Sequence, residues 1–321
     1  MNTVAFLSPV QAQLQLVEAR LHAQADERHP DLRAALEQIL AAGGKRIRPT
    51  LGLLVGDMLG APEDPLVALG AAVELLHTAT LVHDDLIDGS LLRRGTPTLN
   101  ARWSPAATVL TGDFLFARAA KLAAETGHLP LMELFAETLA IIVNGELNQM
   151  FSARGVISRE SYFTRIYAKT ASLFEMTSRA AAMISPADEG AVEAMRRFGY
   201  ETGMAFQIVD DILDYSGEQD AMGKPIGSDL LNGLVTLPAI LYAEMAPDDP
   251  DVRSLSEGGW ANQEKMVRLV ESIRSTSSVR LAMEEAARHV ERALGLLNDV
   301  QPSAEREALE NLAKFIVDRK V

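Results

Sequence analysis

"LVALGAAVELLHTATLVHDDLIDG", residues 66–89, is apolar until its last seven positions and then acidic. Glu74 and His77 interrupt the run, so it falls short of the ~20 apolar residues a membrane-spanning helix needs. Alternating β-branched residues are missing, which argues against a strand. A helix buried on most of its surface is the reading that remains. Its end carries Asp84, Asp85 and Asp88 with Leu86 and Ile87 between them. The same spacing returns in "FQIVDDILDYS" (206–216) as Asp210, Asp211 and Asp214.

Outward from this stretch, alanine, leucine, glutamate and arginine dominate, with apolar residues three and four apart, as in "LRAALEQIL" (32–40). Breaks fall at 41–49, 60–65, 88–105, 126–130, 185–190, 216–227 and 246–250, and none has the length or bias of an interdomain linker. The expectation is an all-α, single-domain bundle of roughly ten or more helices over residues 1–321.

Apolar residues make up 48% and charged residues 23% of the 321, a globular composition. A net charge of −14 argues against nucleic acid as a partner. Zero cysteines exclude disulfides and thiolate chemistry and fit a cytoplasmic location, and the N-terminal residues do not read as a signal peptide.

Positions i and i+4 share a helix face about 5–6 Å apart, so Asp84 projects with Asp88 and Asp210 with Asp214. Like charges so placed in an apolar helix repel, and a divalent cation removes the conflict. Mg²⁺ suits all-oxygen donors and binds through one or two carboxylates plus substrate phosphates. Zinc is disfavoured because cysteine and histidine ligands are lacking nearby. His83 lies on a different helical face from Asp84 and reads as structural. Against the acidic background four basic segments stand out. "GGKRIRP" (43–49) carries Lys45, Arg46 and Arg48 ahead of a helix start; "LLRRG" (91–95) carries Arg93 and Arg94; "YAKT" and "MGKP" supply Lys169 with Thr170, and Lys224. Cations beside metal-type carboxylates suit a polyanion such as a diphosphate. Gln207 stands one turn before Asp211, within reach of a shared oxygen.

With these residues in view, the chain resembles the trans-isoprenyl diphosphate synthases, or polyprenyl synthetases, from about Ala41 to Ile240. The blocks "GGKRIRP", "ELLHTATLVHDDLID", "RRGTPT", "GD", "KTASLFE", "GMAFQIVDDILDY", "GKPIGSDL" and "TLP" occur in the family's order. The resemblance implies a helical bundle around a deep central cavity, a homodimer, and head-to-tail joining of isopentenyl diphosphate to an allylic diphosphate. It implies three Mg²⁺ ions, two on Asp84 and Asp88 and a third on Asp210 with Asp214 near it. Asp85 and Asp211 become water-linked partners in the catalytic set. Arg93, Lys169, Thr170, Gln207 and Lys224 match contacts to the allylic diphosphate. Lys45, Arg48, His77 and Arg94 match those to isopentenyl diphosphate. The resemblance further implies that the departing diphosphate takes the proton, and a water-insoluble product implies transient membrane contact on release. One position departs: where the family commonly has a lysine just before "TLP", this chain has Leu234.

In the family, aromatics at the fourth and fifth residues before the first aspartate stop chain growth. Here those residues are Thr80 and Ala79, and residues 51–102 hold no Phe, Tyr or Trp. A helical turn rises about 5.4 Å, comparable with one isoprene unit, so the expected product is long, about forty carbons, as in quinone side chains. Geranylgeranyl or farnesyl diphosphate is the shorter rival, and Phe135 is a candidate for a deeper stop. A terpene cyclase shares the aspartate chemistry but has no use for a second diphosphate site. A silent subunit of a heteromeric synthase would be expected to have eroded motifs.

Overall fold

The computed structural model describes residues 6–25, 29–41, 44–93, 95–152, 154–216 and 225–318, with backbone alone at Ala41. The described residues are overwhelmingly helical, as expected. Helices run as α1 (Gln11–Ala23), α2 (Pro30–Ala41), α3 (Ile47–Met58), α4 (Glu63–Ile87), α5 (Pro105–Glu125), α6 (Leu129–Phe151), α7 (Arg159–Ile166) and α8 (Ser172–Met183). They continue as α9 (Glu189–Leu213), α10 (Ser228–Leu231), α11 (Leu237–Met245), α12 (Pro250–Ser256), α13 (Gln263–Ser275), α14 (Ser278–Gly295) and α15 (Ala304–Val317). Among the described residues the only sheet is a two-residue antiparallel ribbon, β1 (Leu92–Arg93) on β2 (Thr96–Pro97).

The chain divides into two compact units. The first takes in Met1–Glu137, Phe174–Arg196 and Asp299–Leu312; the second takes in Thr138–Leu173, Arg197–Asn298 and Ala313–Val321.

In the first unit α4 packs along α5 and against α3 and α1. By length and hydropathy α4 could cross a membrane, but 78% of its apolar window is buried inside the protein. Leu66, Leu69, Leu75 and Leu76 have no exposed surface. Burial therefore makes α4 a core helix. Glu63 and Asp64 in its first turn suit the positive end of the helix dipole. Its other end closes on Gly89, at φ 64°, with Ser90 N–H donating to the Asp85 carbonyl at 2.8 Å and Gly89 N–H to the Leu86 carbonyl at 3.2 Å. This glycine closure fixes where the helix stops, and so where Asp84 and Asp88 stand.

Arg46, grouped by sequence with the substrate-side cations, does different work. It is the one non-glycine residue among those described with a left-handed backbone, at φ 46°. Such a conformation costs on the order of 1–3 kcal/mol unless its surroundings impose it. Here the guanidinium reaches back into the first unit. Nε donates to Glu18 Oε1 and Nη1 to Glu74 Oε1, each at 2.6 Å, and Nη2 donates to the Leu40 carbonyl at 3.2 Å. Glu74 is buried. Removing Arg46 strands that carboxylate, so Arg46→Ala is expected to cost about 3–5 kcal/mol in a urea melt. A loss below ~1 kcal/mol would contradict the anchor role.

The second unit packs α11 on α14, α12 on α13, and α10 on α13. Tyr162, Phe198, Ile208, Leu230, Leu237 and Ile273 form its buried interior. Thr236 precedes α11 in extended conformation and Pro238 sits in its first turn, which suits a residue without an N–H.

Candidate active site

In the first unit, His77, Thr80, Leu81, Asp84 and Asp88 recur at three- and four-residue steps on α4 and its cap. All five are partly or fully exposed, while Thr78, Ala79, Val82 and Asp85 are buried. One strip of the helix is thus open from His77 to Asp88, with the acidic residues at its end. That end is the C-terminal one. Carboxylates there face the negative pole of the helix dipole and lose roughly 0.3–1 kcal/mol each. The fold puts three where helices disfavour them, a cost that a bound cation reverses.

Asp85 does not share the strip's exposure. Its carboxylate accepts from Arg93 Nε at 2.9 and 3.1 Å, and Arg93 Nη2 lies 2.9 Å from Asp85 Oδ1. Arg93 stands on β1, and the ribbon is tied down by Thr98 Oγ1 donating to the Ser90 carbonyl at 2.7 Å and Gln38 Nε2 to the Pro97 carbonyl at 3.2 Å. Asp85 therefore holds an arginine beside the other two aspartates. Asp113 and Val109 on α5 account for His83. Its Nε2 lies 3.0 Å from the Val109 carbonyl and 3.7 Å from Asp113 Oδ1, and its ring meets Phe116 edge-on. A Cβ at Gly112 would fall 2.1 Å from that Nε2, so the "GD" block makes room for the histidine. The structural reading of His83 holds.

Lys45 is exposed, and Arg48 is half-buried with its guanidinium 4.7 Å from the centroid of the Phe174 ring. His77 is half-buried, and its carbonyl accepts from Thr80 Oγ1 at 2.7 Å. Ala79 and Thr80 separate: Ala79 has no exposed surface, whereas Thr80 lies on the open strip. Phe135 is buried. Arg94 lies outside the described residues.

In the second unit, Lys169 and Thr170 fall within a wide, π-helical turn, Tyr167–Ala171, between α7 and α8. Such turns insert one residue into a helix and are frequent at functional sites. Gly145 on α6 lets this turn approach closely, since a Cβ there would lie 2.5 Å from Ala168 Cβ. Lys169 Nζ then donates to Glu146 Oε1 at 2.9 Å. A chain of side chains follows. Thr170 Oγ1 donates to Gln207 Oε1 at 2.5 Å, Gln207 Nε2 to Asp211 Oδ1 at 2.8 Å, and Tyr162 Oη to Asp211 Oδ2 at 2.7 Å. Burial pushes the Asp211 carboxyl up to about 7, and the Asp229 charge adds to this; the two hydrogen bonds and the Arg165 charge oppose it. Burial and the neighbouring Asp211 likewise raise the Tyr162 hydroxyl well above its ordinary range.

Asp210 is half-buried on the last turn of α9, and Asp214 stands just past its end. Asp214 uses both oxygens locally: Oδ1 accepts from Ser228 Oγ at 2.7 Å and Oδ2 from Asp229 N–H at 3.1 Å. This fastens α10 to the end of α9. Again the acidic triplet occupies a helix C-terminus. Lys224 lies outside the described residues. Within either unit, no three carboxylate or imidazole groups among the described residues converge as a ready-made metal cage.

Sequence reasoning missed the π-turn, the Tyr162 partner of Asp211 and the Asp85–Arg93 clamp. Only the first left a trace, in Gly145, a glycine inside α6 six residues before its end.

Comparison with known proteins agrees with this geometry. The polyprenyl synthetase family model matches residues 29–273. The chain belongs to the polyprenyl synthetase family. It is accordingly a prenyltransferase. The all-trans-nonaprenyl-diphosphate synthase of Rhodobacter capsulatus is 38% identical over 88% of this chain and 87% of its own. The heptaprenyl diphosphate synthase component 2 of Geobacillus stearothermophilus is 35% identical over 99% of both. Among solved structures, the polyprenyl synthase of Caulobacter crescentus, crystallised with calcium and isoprenyl diphosphate, superposes with a TM-score of 0.92. It is 35% identical, and the match covers 100% of this chain and 98% of that one.

Two further features belong to the second unit. Leu234, the one position noted as departing from the family resemblance, is half-buried, with its N–H donating to the Asp229 carbonyl at 2.9 Å. The second-unit part of α6 leaves Val143, Leu147, Met150 and Phe151 exposed, at 44, 41, 55 and 80% respectively. These four recur at helical spacing and form one apolar stripe.

Proposed function

We propose that this polyprenyl synthetase is a long-chain trans-polyprenyl diphosphate synthase. It adds isopentenyl diphosphate units to an allylic diphosphate until the product reaches about forty carbons, a reading supported by the lack of any aromatic from residue 51 to 102 and by the long-chain name of its nonaprenyl-diphosphate synthase relative. The observation that carries the reading is the pair of aspartate triplets, each at the C-terminal end of an apolar helix where acid is least at ease. The donors are all oxygen, and His83 is engaged elsewhere, so the set fits Mg²⁺. A relative's crystal with calcium and isoprenyl diphosphate supports the same assignment.

Asp84 and Asp88 would hold two ions and Asp210 a third, with Asp214 as a strut. A metal held by these carboxylates would supply charge neutralisation to the leaving diphosphate. Arg93, fixed by Asp85, and Lys169 with Thr170 meet the allylic diphosphate. Gln207, oriented by Thr170 and Asp211, offers its amide to the same group. Lys45, Arg48 and His77, with Arg94, receive isopentenyl diphosphate. Preset cations of this kind stabilise charge as it develops and cost no rearrangement. Apolar surface on the strip itself, that of Leu81, keeps water from the carbocation.

A family match running through residues of both units supports treating the chain as one domain. The α6 stripe suits a second copy of this chain. A heteromeric partner is the second reading, favoured by the relative named as component 2 of its synthase. Incubating pure protein with Mg²⁺, isopentenyl diphosphate and farnesyl diphosphate, then sizing the products, tests the proposal. Long products are expected. Products no longer than geranylgeranyl diphosphate would move the assignment to a short-chain enzyme, and no elongation by the isolated chain would favour the heteromeric reading.

A further inference from the structure

Arg165, on α7 in the second unit, is a half-buried cation whose two close contacts are neutral and whose charge also acts on buried Asp211. Its Nη2 donates to the Val235 carbonyl at 2.7 Å, and its guanidinium lies 5.5 Å from the centroid of the Tyr162 ring. Asp211, the carboxylate its charge reaches, takes its hydrogen bonds from Tyr162 and Gln207 and not from the guanidinium. A partly desolvated guanidinium is at its best with an anion to complete its donor set. Both partners lead to the site. Val235 is the neighbour of Leu234, the position without its cation. Tyr162 holds Asp211, which in turn orients Gln207. Arg165 is also four residues before Lys169, on the helix that leads into the π-turn.

We propose that Arg165 supplies, from α7, the positive group that position 234 lacks, and that it binds the diphosphate of the allylic substrate beside Lys169 and Thr170. The assignment rests on the synthase reading above. Arginine suits this place better than lysine, because one edge of its planar fork can grip the Val235 carbonyl while the other faces phosphate oxygens. A purely structural staple between α7 and the segment before α11 would need the hydrogen bond but not the charge.

Calorimetric binding of inorganic pyrophosphate in Mg²⁺ separates the two, with KM for farnesyl diphosphate as a second readout. Arg165→Met is expected to weaken pyrophosphate binding about tenfold or more, the size of one charge-assisted hydrogen bond. It should raise KM for the allylic substrate more than for isopentenyl diphosphate. Adding Leu234→Lys to that variant should restore most of the binding. Arg165→Gln, which keeps a donor for Val235, should bind as weakly as the Met variant, and it replaces that variant should the latter not fold. Unchanged pyrophosphate affinity in Arg165→Met or Gln would overturn the proposal, as would a folded double variant that Leu234→Lys leaves unrescued. Wild type that binds pyrophosphate but elongates nothing would sink the synthase reading while leaving the charge assignment standing.

Discussion

Asp84→Ala is expected to lower kcat by at least ~10²–10³, the usual effect of removing one electrostatic stabiliser from a polar transition state. Asp84 lies on the open strip of α4 with Asp88 on the same face, whereas Asp85 is buried and committed to Arg93. The loss should therefore persist in Asp84→Asn, which keeps the shape and removes the charge. Asp85→Asn should instead act through Arg93, raising KM for the allylic diphosphate. The same change at Asp84 carries an opposite signature in stability. A carboxylate at a helix C-terminus opposes the dipole, so Asp84→Asn should leave the urea midpoint unchanged or raise stability by roughly 0.3–1 kcal/mol. Function and stability then part company at one residue, as expected of a site built for a ligand. A fall in kcat of less than tenfold, measured at saturating Mg²⁺, would remove Asp84 from the metal site.

The second large effect concerns product length. Thr80→Phe places a ring on the open strip one turn before Asp84, directly along the helix face that carries the acid. Ala79→Phe introduces the same ring at a position with no exposed surface, so it must displace packed neighbours, at about 1–3 kcal/mol. Both should shorten the product sharply, with Thr80→Phe the gentler to the fold. Chromatographic sizing of the prenyl products decides it. If both variants make the wild-type length, this stretch of α4 does not set the ruler, and buried Phe135 becomes the residue to replace.

Much of the fold was legible because helix periodicity and stop signals are local properties. Asp88-Gly89 marks the end of α4, and Thr236-Leu237-Pro238 marks the start of α11, each from adjacent residues. The acidic triplets were legible for the same reason, since their spacing is a helix property. What escaped reading depends on residues distant in the chain. Arg46 looks like its neighbours Lys45 and Arg48 until Glu18 and Glu74 are seen to claim it. Asp85 looks like Asp84 until Arg93 folds back on it. The length of α4 alone would allow a membrane span, and only its burial identifies it as core.

The widened turn at Tyr167–Ala171 has an evolutionary corollary. Deleting one codon there would let the segment relax to ordinary α-helical winding and rotate Ser172 by about 100° relative to Ile166. Lys169 and Thr170 would then lose their aim together, though both would still be encoded. Insertions and deletions in these five residues should accordingly be purged more strictly than substitutions, an imprint that sequencing of random in-frame indel libraries could read directly.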